Sequence, residues 1–224
     1  MTNSEIKQIL VGKQINNLYH SNTVETSITF LRHGGLLSRG AVEQNGLNQT
    51  PQKSDKIDKQ LGIYNDIFFD SVDIHERAHR INSYGPILFV YSINLIDELP
   101  EGVIGITKDN PIRWRPEMTE DEKYFATSSE LSMEYHKGTF KQHFTIRNWN
   151  TPLPFTYLNK IIIDNPKRDD NTLFDTAKKE IEKIKTEFNI NIPLIVRDCS
   201  VMCSCHKIYS SFSNRDIFEN FKII

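Results

Sequence analysis

Cys199, Cys203, Cys205 and His206 crowd three thiols and an imidazole into the span 199–206. Thiolate and imidazole are the donors that hold zinc in a tetrahedron. Structural zinc sites usually draw on two separated segments, whereas here C-x-C-H lies at one end of a single segment. The alternative is a set of small thiols packed near a strand end, and no metal is expected. Other familiar chemistries are missing. The chain has no glycine-rich phosphate loop, no G-x-G-x-x-G, no G-x-S-x-G elbow and no H-E-x-x-H.

A second group of residues is spread along the chain. Leu18-Tyr19-His20-Ser21-Asn22-Thr23 is followed by a short helical pattern and then by Gly34-Gly35-Leu36-Leu37-Ser38, with Arg39 next. Ile63 to Ser71 reads I-Y-N-D-I-F-F-D-S, with Ala78 beyond it. Lys141 to Ile146 reads K-Q-H-F-T-I and leads, after a turn, into Leu153 to Asp164.

In this order the three segments resemble the motifs of the ADP-ribosyltransferase superfamily, in its diphtheria-toxin and PARP-like branch. Within it they most resemble DarT-like enzymes, which modify nucleobases in DNA. The resemblance covers roughly Asn17 to Asp164. It implies that NAD is a substrate, held by His20, Asn22 and Thr23 of the first motif and by Tyr64, Phe68, Phe69 and Ser71 of the second, with one of the aromatic rings stacked on nicotinamide. It also implies a nucleic-acid acceptor (DNA or RNA), a toxin or anti-phage role, and a neutralising partner protein.

Breaking the glycosidic bond of NAD puts positive charge on the ribose, so such a site must orient the amide, hold the hydroxyls and stabilise the cation. His20 suits a ribose hydroxyl, and Arg39 suits a pyrophosphate or target phosphate bidentately. Each has a plainer alternative, a packed histidine at a strand end and a solvated arginine. The third motif departs from the family: relatives place a glutamate where this chain has His143, beside Gln142. Either His143 serves as the base, or a carboxylate of the preceding helix, Glu134 or Glu130, enters the site, or catalysis is weak or altered. His75, Arg77 and Arg80 could line the same cleft or face solvent. Trp114, Trp149 and Tyr157, with Arg113, Arg115 and Arg147 near them in sequence, could stack a flipped base or belong to the core.

The elements that would position these residues follow from periodicity. Val24 to Leu31 is a helix ended by Gly34-Gly35. Gln44 to Lys59 is a polar surface loop. Strands are expected at Ile63 to Phe69, Ile87 to Ile93, Gly102 to Thr107, His143 to Arg147, Leu158 to Ile163 and Ile192 to Val196. Helices are expected at Asp73 to Arg80, from the Thr119 cap towards Tyr135, and at Asp175 to Phe188, whose apolar residues recur at helical spacing. Strands outnumber helices without regular alternation, which favours α+β over a doubly wound sheet. The family resemblance specifies two packed, mostly antiparallel β-sheets with flanking helices, in one domain over 1–224.

Bulk properties narrow the partners. A net charge of -2 over 224 residues argues against holding nucleic acid by charge alone. No apolar run reaches the roughly 20 residues of a membrane span, Met1 to Gln8 lacks the order of a signal peptide, and three cysteines do not make a secreted disulfide framework. A cytoplasmic protein is expected. The competing reading is a non-catalytic NAD- or nucleic-acid-binding module of the same fold, with an RNA 2′-phosphotransferase ranked below it.

Overall fold

The computed structural model describes residues 1–197 and 203–223. Helices and strands run in the order α1 (Asn3–Gly12), β1 (Asn17–Asn22), α2 (Val24–Arg32), β2 (Gly35–Leu36), α3 (Arg39–Gln44), α4 (Asp55–Gln60), β3 (Ile67–Phe69), α5 (Ile74–Ala78), β4 (Ile87–Ser92) and β5 (Ile104–Ile106). They continue with α6 (Glu120–Lys123), α7 (Ser128–Glu134), β6 (Phe144–Ile146), β7 (Leu153–Pro154), β8 (Leu158–Asp164), α8 (Thr172–Glu187), β9 (Leu194–Arg197), α9 (Cys205–Ser211) and α10 (Asn214–Phe221). Among the described residues no helix is long and apolar enough to cross a membrane.

The α+β class and the mostly antiparallel sheets hold. One sheet has the order β1-β4-β8-β9, antiparallel except for the parallel β8/β9 edge, and a second has the order β3-β6-β5, antiparallel throughout. A two-stranded ladder, β2/β7, is additional. The sheets meet through aromatic side chains: Phe69 of β3 lies edge-on to Tyr91 of β4 in the other sheet (ring centroids 5.8 Å apart) and, within its own sheet, to its register partner Phe144 of β6 (5.9 Å). Burying each such ring contributes about 1.5–3 kcal/mol relative to leaving it in water.

A second junction fixes the site. At the edge of the first sheet, Tyr19 donates its backbone N–H to the Asp70 carbonyl (3.0 Å) and accepts the Asp70 N–H in return (2.8 Å). The bridge sets β1 beside the end of β3, so His20 stands next to the Phe68-Phe69 pair.

Helix α2 is buried along its whole length from Val24 to Leu31, and α8 and α10 pack against it. Three of its polar residues bond to the loop after α3. Thr29 Oγ1 donates to the Asn48 carbonyl (2.7 Å), Thr26 Oγ1 accepts the Thr50 N–H (3.0 Å), and Thr50 Oγ1 donates to Glu25 (3.0 Å). Buried polar groups demand partners, so the hydroxyls of α2 fix where that loop lies.

Several expectations are corrected. The Gln44 to Lys59 stretch is not all loop, since α4 occupies it from Asp55 onward. The strand expected over Ile63 to Phe69 shortens to β3, because Ile63 to Asp66 turns (Asp66 N–H to Ile63 carbonyl, 3.0 Å) and Tyr64 accepts the Gly40 N–H (2.8 Å). The helix from Thr119 stops at Lys123. Tyr124 bridges Thr107, Phe125 donates to the Ile106 carbonyl, and Thr127 caps a fresh start at α7. The capping boxes that begin α1 (Thr2 with Glu5) and α10 (Ser213 with Asp216) are legible in sequence, yet neither helix was anticipated. Cys199 lies outside the described residues.

Candidate active site

A cleft of about 1110 Å³, counted out to its open mouth, has walls that include His20, Asn22, Arg39, Tyr64, Phe68 and His143. Phe69 also reaches it, but that ring is 1% exposed and serves the core.

His20 is fixed in orientation and tautomer. Its Nδ1 lies 2.8 Å from the Phe68 carbonyl, and a carbonyl only accepts, so Nδ1 carries the proton. That leaves Nε2 as an acceptor, and it is buried without a partner among the described residues. Burial holds the His20 pKa below the usual histidine range, with nearby Arg39 adding to the effect. The ring therefore presents a neutral lone pair to the cleft, suited to a hydroxyl donor.

Arg39 begins α3, where Ser38 caps the helix through the Ala41 N–H (3.2 Å). Its guanidinium is held as a fork. Nε pairs with Asp55 Oδ1, while Nη2 pairs with Asp55 Oδ2 (2.8 Å) and the Thr50 carbonyl (3.0 Å). Nη1 remains buried and without a partner among the described residues. A fixed cation with one uncommitted N–H pair suits a phosphate oxygen. Close approach of α3 to Tyr64 requires Gly40, since a Cβ there would stand 1.8 Å from Asn65 Oδ1.

His143 stands at the head of β6. Asn110 Oδ1 accepts the Ile112 N–H (3.1 Å), which turns the amide so that Nδ2 donates to His143 Nε2 (3.3 Å) and to the Phe140 carbonyl (3.2 Å). With Nε2 accepting, Nδ1 is the protonated nitrogen and points at Asp70 Oδ1, 3.2 Å away. A base oriented by a carboxylate is the working half of a catalytic triad. Phe68 stands edge-on to the His143 ring, centroids 6.3 Å apart.

Asp70 escaped the sequence reading, as did Asn110, Tyr84 and Asp66. The D-S dipeptide after Phe69 carried the signal, but its serine drew attention. Asp66 lines the same cleft and anchors the turn after β6 by accepting the Asn148 N–H (2.9 Å). Burial pushes its carboxyl up to about 6. Gly85 (φ +141°) brings the chain from Tyr84 against Asn22: a Cβ at Gly85 would stand 2.3 Å from the Asn22 carbonyl carbon and oxygen.

Other residues singled out from sequence lie elsewhere. Thr23 is buried, its hydroxyl tied to Thr50 (2.8 Å) and Thr26 (3.2 Å). Ser71 accepts the Gly138 N–H (2.9 Å) on the wall of a smaller pocket with Asp73, Arg77 and Lys137. Glu134 is exposed at the end of α7 and does not line the cleft, and Glu130 pairs with Lys108. His75, Arg77 and Arg80 do not line it either: Arg77 donates to the Gly138 carbonyl (3.2 Å), and Arg80 covers the Phe140 ring. Trp114 is buried against Tyr124, Arg147 pairs with Glu120 (2.6 Å), Arg113 lies 3.5 Å from Asp109, and Tyr157 donates to Glu98 (2.8 Å). Neither these four nor Trp149 and Arg115 are cleft residues.

No protein-family model matches the chain, and no curated protein matches it. Solved structures do. Thermus sp. 2.9 DarT in complex with ADP-ribosylated ssDNA aligns with a TM-score of 0.51 and 13% identity, over 82% of this chain and 95% of that one. The same protein in complex with NAD+ and with carba-NAD+ aligns with TM-scores of 0.48 and 0.47, each at 14% identity over 82% of this chain and 96% of that one. The first match establishes the fold, which is the ADP-ribosyltransferase-like architecture that the three sequence motifs implied.

Proposed function

We propose that this chain transfers ADP-ribose from NAD to a nucleobase in single-stranded nucleic acid and releases nicotinamide. The observation that carries the reading is the convergence of His20 and of the His143–Asp70 pair on one cleft, where Phe68 meets His20 through its carbonyl and His143 through its ring. The match to a DarT solved with ADP-ribosylated ssDNA supports the fold and makes DNA the first acceptor to try.

In this reading His20 Nε2 accepts a ribose hydroxyl and Arg39 Nη1 donates to a pyrophosphate oxygen. Tyr64 or Phe68 stacks on nicotinamide, and Asn22 borders the same bound nucleotide. The bond between the ribose anomeric carbon and the nicotinamide nitrogen breaks, and its electron pair leaves with nicotinamide. Asp70, with Asp66 in the same cleft, sets negative charge against the cation that develops. A base nitrogen forms the new bond to that carbon, takes the place of the Asn110 amide at His143 Nε2 and loses its proton there, and Asp70 stabilises the resulting imidazolium. Histidine supported by aspartate thus replaces the glutamate that relatives carry, and Glu134 has no role. Thr23 and Ser71, which lie outside the cleft, have no contact with the nucleotide. A toxin acting on cytoplasmic nucleic acid, kept in check by a partner protein, is the setting we infer.

The test is incubation with NAD and single-stranded DNA, RNA and protein acceptors, followed by mass spectrometry. An oligonucleotide gaining one ADP-ribose, together with free nicotinamide, supports the reading. Saturable NAD binding without turnover on any acceptor would favour the non-catalytic module.

A further inference from the structure

Outside the cleft, three metal-ligand side chains from two distant segments converge. His75, on α5, places Nε2 3.0 Å from the Sγ of Cys203, 128 positions further along the chain. With Cys205 Sγ, the first residue of α9, the three donor atoms all lie within 4.8 Å of one another. Both cysteines are buried and His75 is half-buried. Crowding of every ligand into one segment argued against a metal on sequence. The fold removes that objection by adding His75 from a separate segment, while His206 stays outside the cluster.

The geometry points to a zinc site in which His75 Nε2, Cys203 Sγ and Cys205 Sγ bind one ion, stapling the start of α9 to α5. Zinc bonds of about 2.3 Å to sulfur and about 2.0–2.1 Å to imidazole nitrogen, set tetrahedrally, separate ligand atoms by about 3.6–3.8 Å. The observed spacing reaches this with shifts of the order of 1 Å. Two thiolates neutralise the ion, the neutral imidazole adds no charge, and a water or further donor takes the fourth position.

The surroundings suit thiolate. Cys205 donates its backbone N–H to Cys203 Sγ (3.3 Å), the kind of outer contact that orients a metal-bound sulfur. Cys203 Sγ also lies 3.4 Å from the His79 carbonyl. When the thiol proton leaves to solvent on metal binding, that carbonyl keeps the Ser204 N–H (2.9 Å) and the Ser204 hydroxyl as donors. The staple bears on the cleft indirectly, because α5 follows directly from β3, Asp70 and the α5 cap, Asp73.

The experiment is metal analysis of the intact wild-type chain purified without chelators, together with Co²⁺ titration of the stripped protein. The expected results are one zinc per chain, and one equivalent of Co²⁺ giving thiolate charge-transfer and tetrahedral ligand-field bands. Cys203→Ser and His75→Ala should lose the stoichiometric metal, while His206→Ala should retain it. If the variants fail to fold, the wild-type Co²⁺ spectrum decides alone. Zinc well below one equivalent with no thiolate–Co²⁺ bands, or a disulfide between Cys203 and Cys205 in the purified protein, would overturn the assignment.

Discussion

The carboxylate of Asp70 lies 3.2 Å from Nδ1 of His143, while the backbone of the same aspartate exchanges two hydrogen bonds with Tyr19. One residue therefore orients the base and also ties β3 to the strand that carries His20. Asp70→Asn keeps the size and the backbone bridge but removes the charge that would stabilise an imidazolium. The expected loss in kcat for ADP-ribose transfer is roughly 10²–10⁴-fold, with KM for NAD changed by only a few-fold. His143→Ala should cost about as much, and the double variant little more than either alone, because residues acting as a unit are non-additive. Single-turnover kinetics checks this, and independent, multiplying losses would break the pairing.

Arg39 offers a different kind of test. Its Nε and Nη2 are committed to Asp55 and Thr50, leaving Nη1 for ligand. Lysine keeps the charge but cannot span Asp55 while reaching the cleft. Arg39→Lys is expected to weaken NAD binding about tenfold, by calorimetry, with Asp55→Asn weakening it less through loss of positioning. Unchanged affinity in Arg39→Lys would remove Arg39 from the site.

His20 supplies a pH dependence of known sign. Burial holds its folded pKa below the ordinary 6.5, so between those values the unfolded chain binds a proton that the folded chain refuses. This contribution to stability is complete above pH 6.5 and is lost as pH falls towards the depressed value. NAD affinity should follow the same direction, since a protonated Nε2 can no longer accept a hydroxyl. Affinity is expected to be flat above pH 7 and to fall by up to about tenfold per pH unit below the folded pKa. In His20→Gln the acid limb should disappear. Binding that strengthens on acidification would contradict the tautomer assigned here.

The architecture was legible where residues obey a simple period. The apolar positions of α8 and the β-branched run of β4 announce themselves, and the resemblance of the three motifs to a known family implied a shared cleft for His20, Phe68 and His143. What could not be read was pairing across distance. Asp70 faces His143 only because β3 and β6 run antiparallel. Asn110 reaches the same ring from the loop after β5, and His75 meets Cys203 only once the chain has folded back. The Thr119 to Tyr135 segment failed for a related reason: its helical signals were genuine, but the bridge from Tyr124 to Thr107 outweighed local propensity. Glu134 looked serviceable in sequence because nothing local says which way the end of α7 faces.

Asp66 shows a site residue held at a cost to the fold. Burial raises its carboxyl from 3.8 to about 6, so between those values the folded chain keeps a proton that the unfolded chain has lost. Stability from this group therefore falls as pH rises from 3.8 to about 6, and the full penalty persists at neutral pH. Asparagine can still accept the Asn148 N–H without ever ionising. Asp66→Asn is expected to be more stable than wild type by roughly 1–3 kcal/mol above pH 7, which for a chain of this size raises Tm by about 2–4 °C per kcal/mol. The two proteins should converge below about pH 4, where both carry a neutral side chain. Urea unfolding across that range measures the difference directly. A variant less stable than wild type at pH 8 would mean that the ionised carboxylate is paired more strongly than its burial is penalised, and would reassign Asp66 from a strained wall of the cleft to a structural anchor.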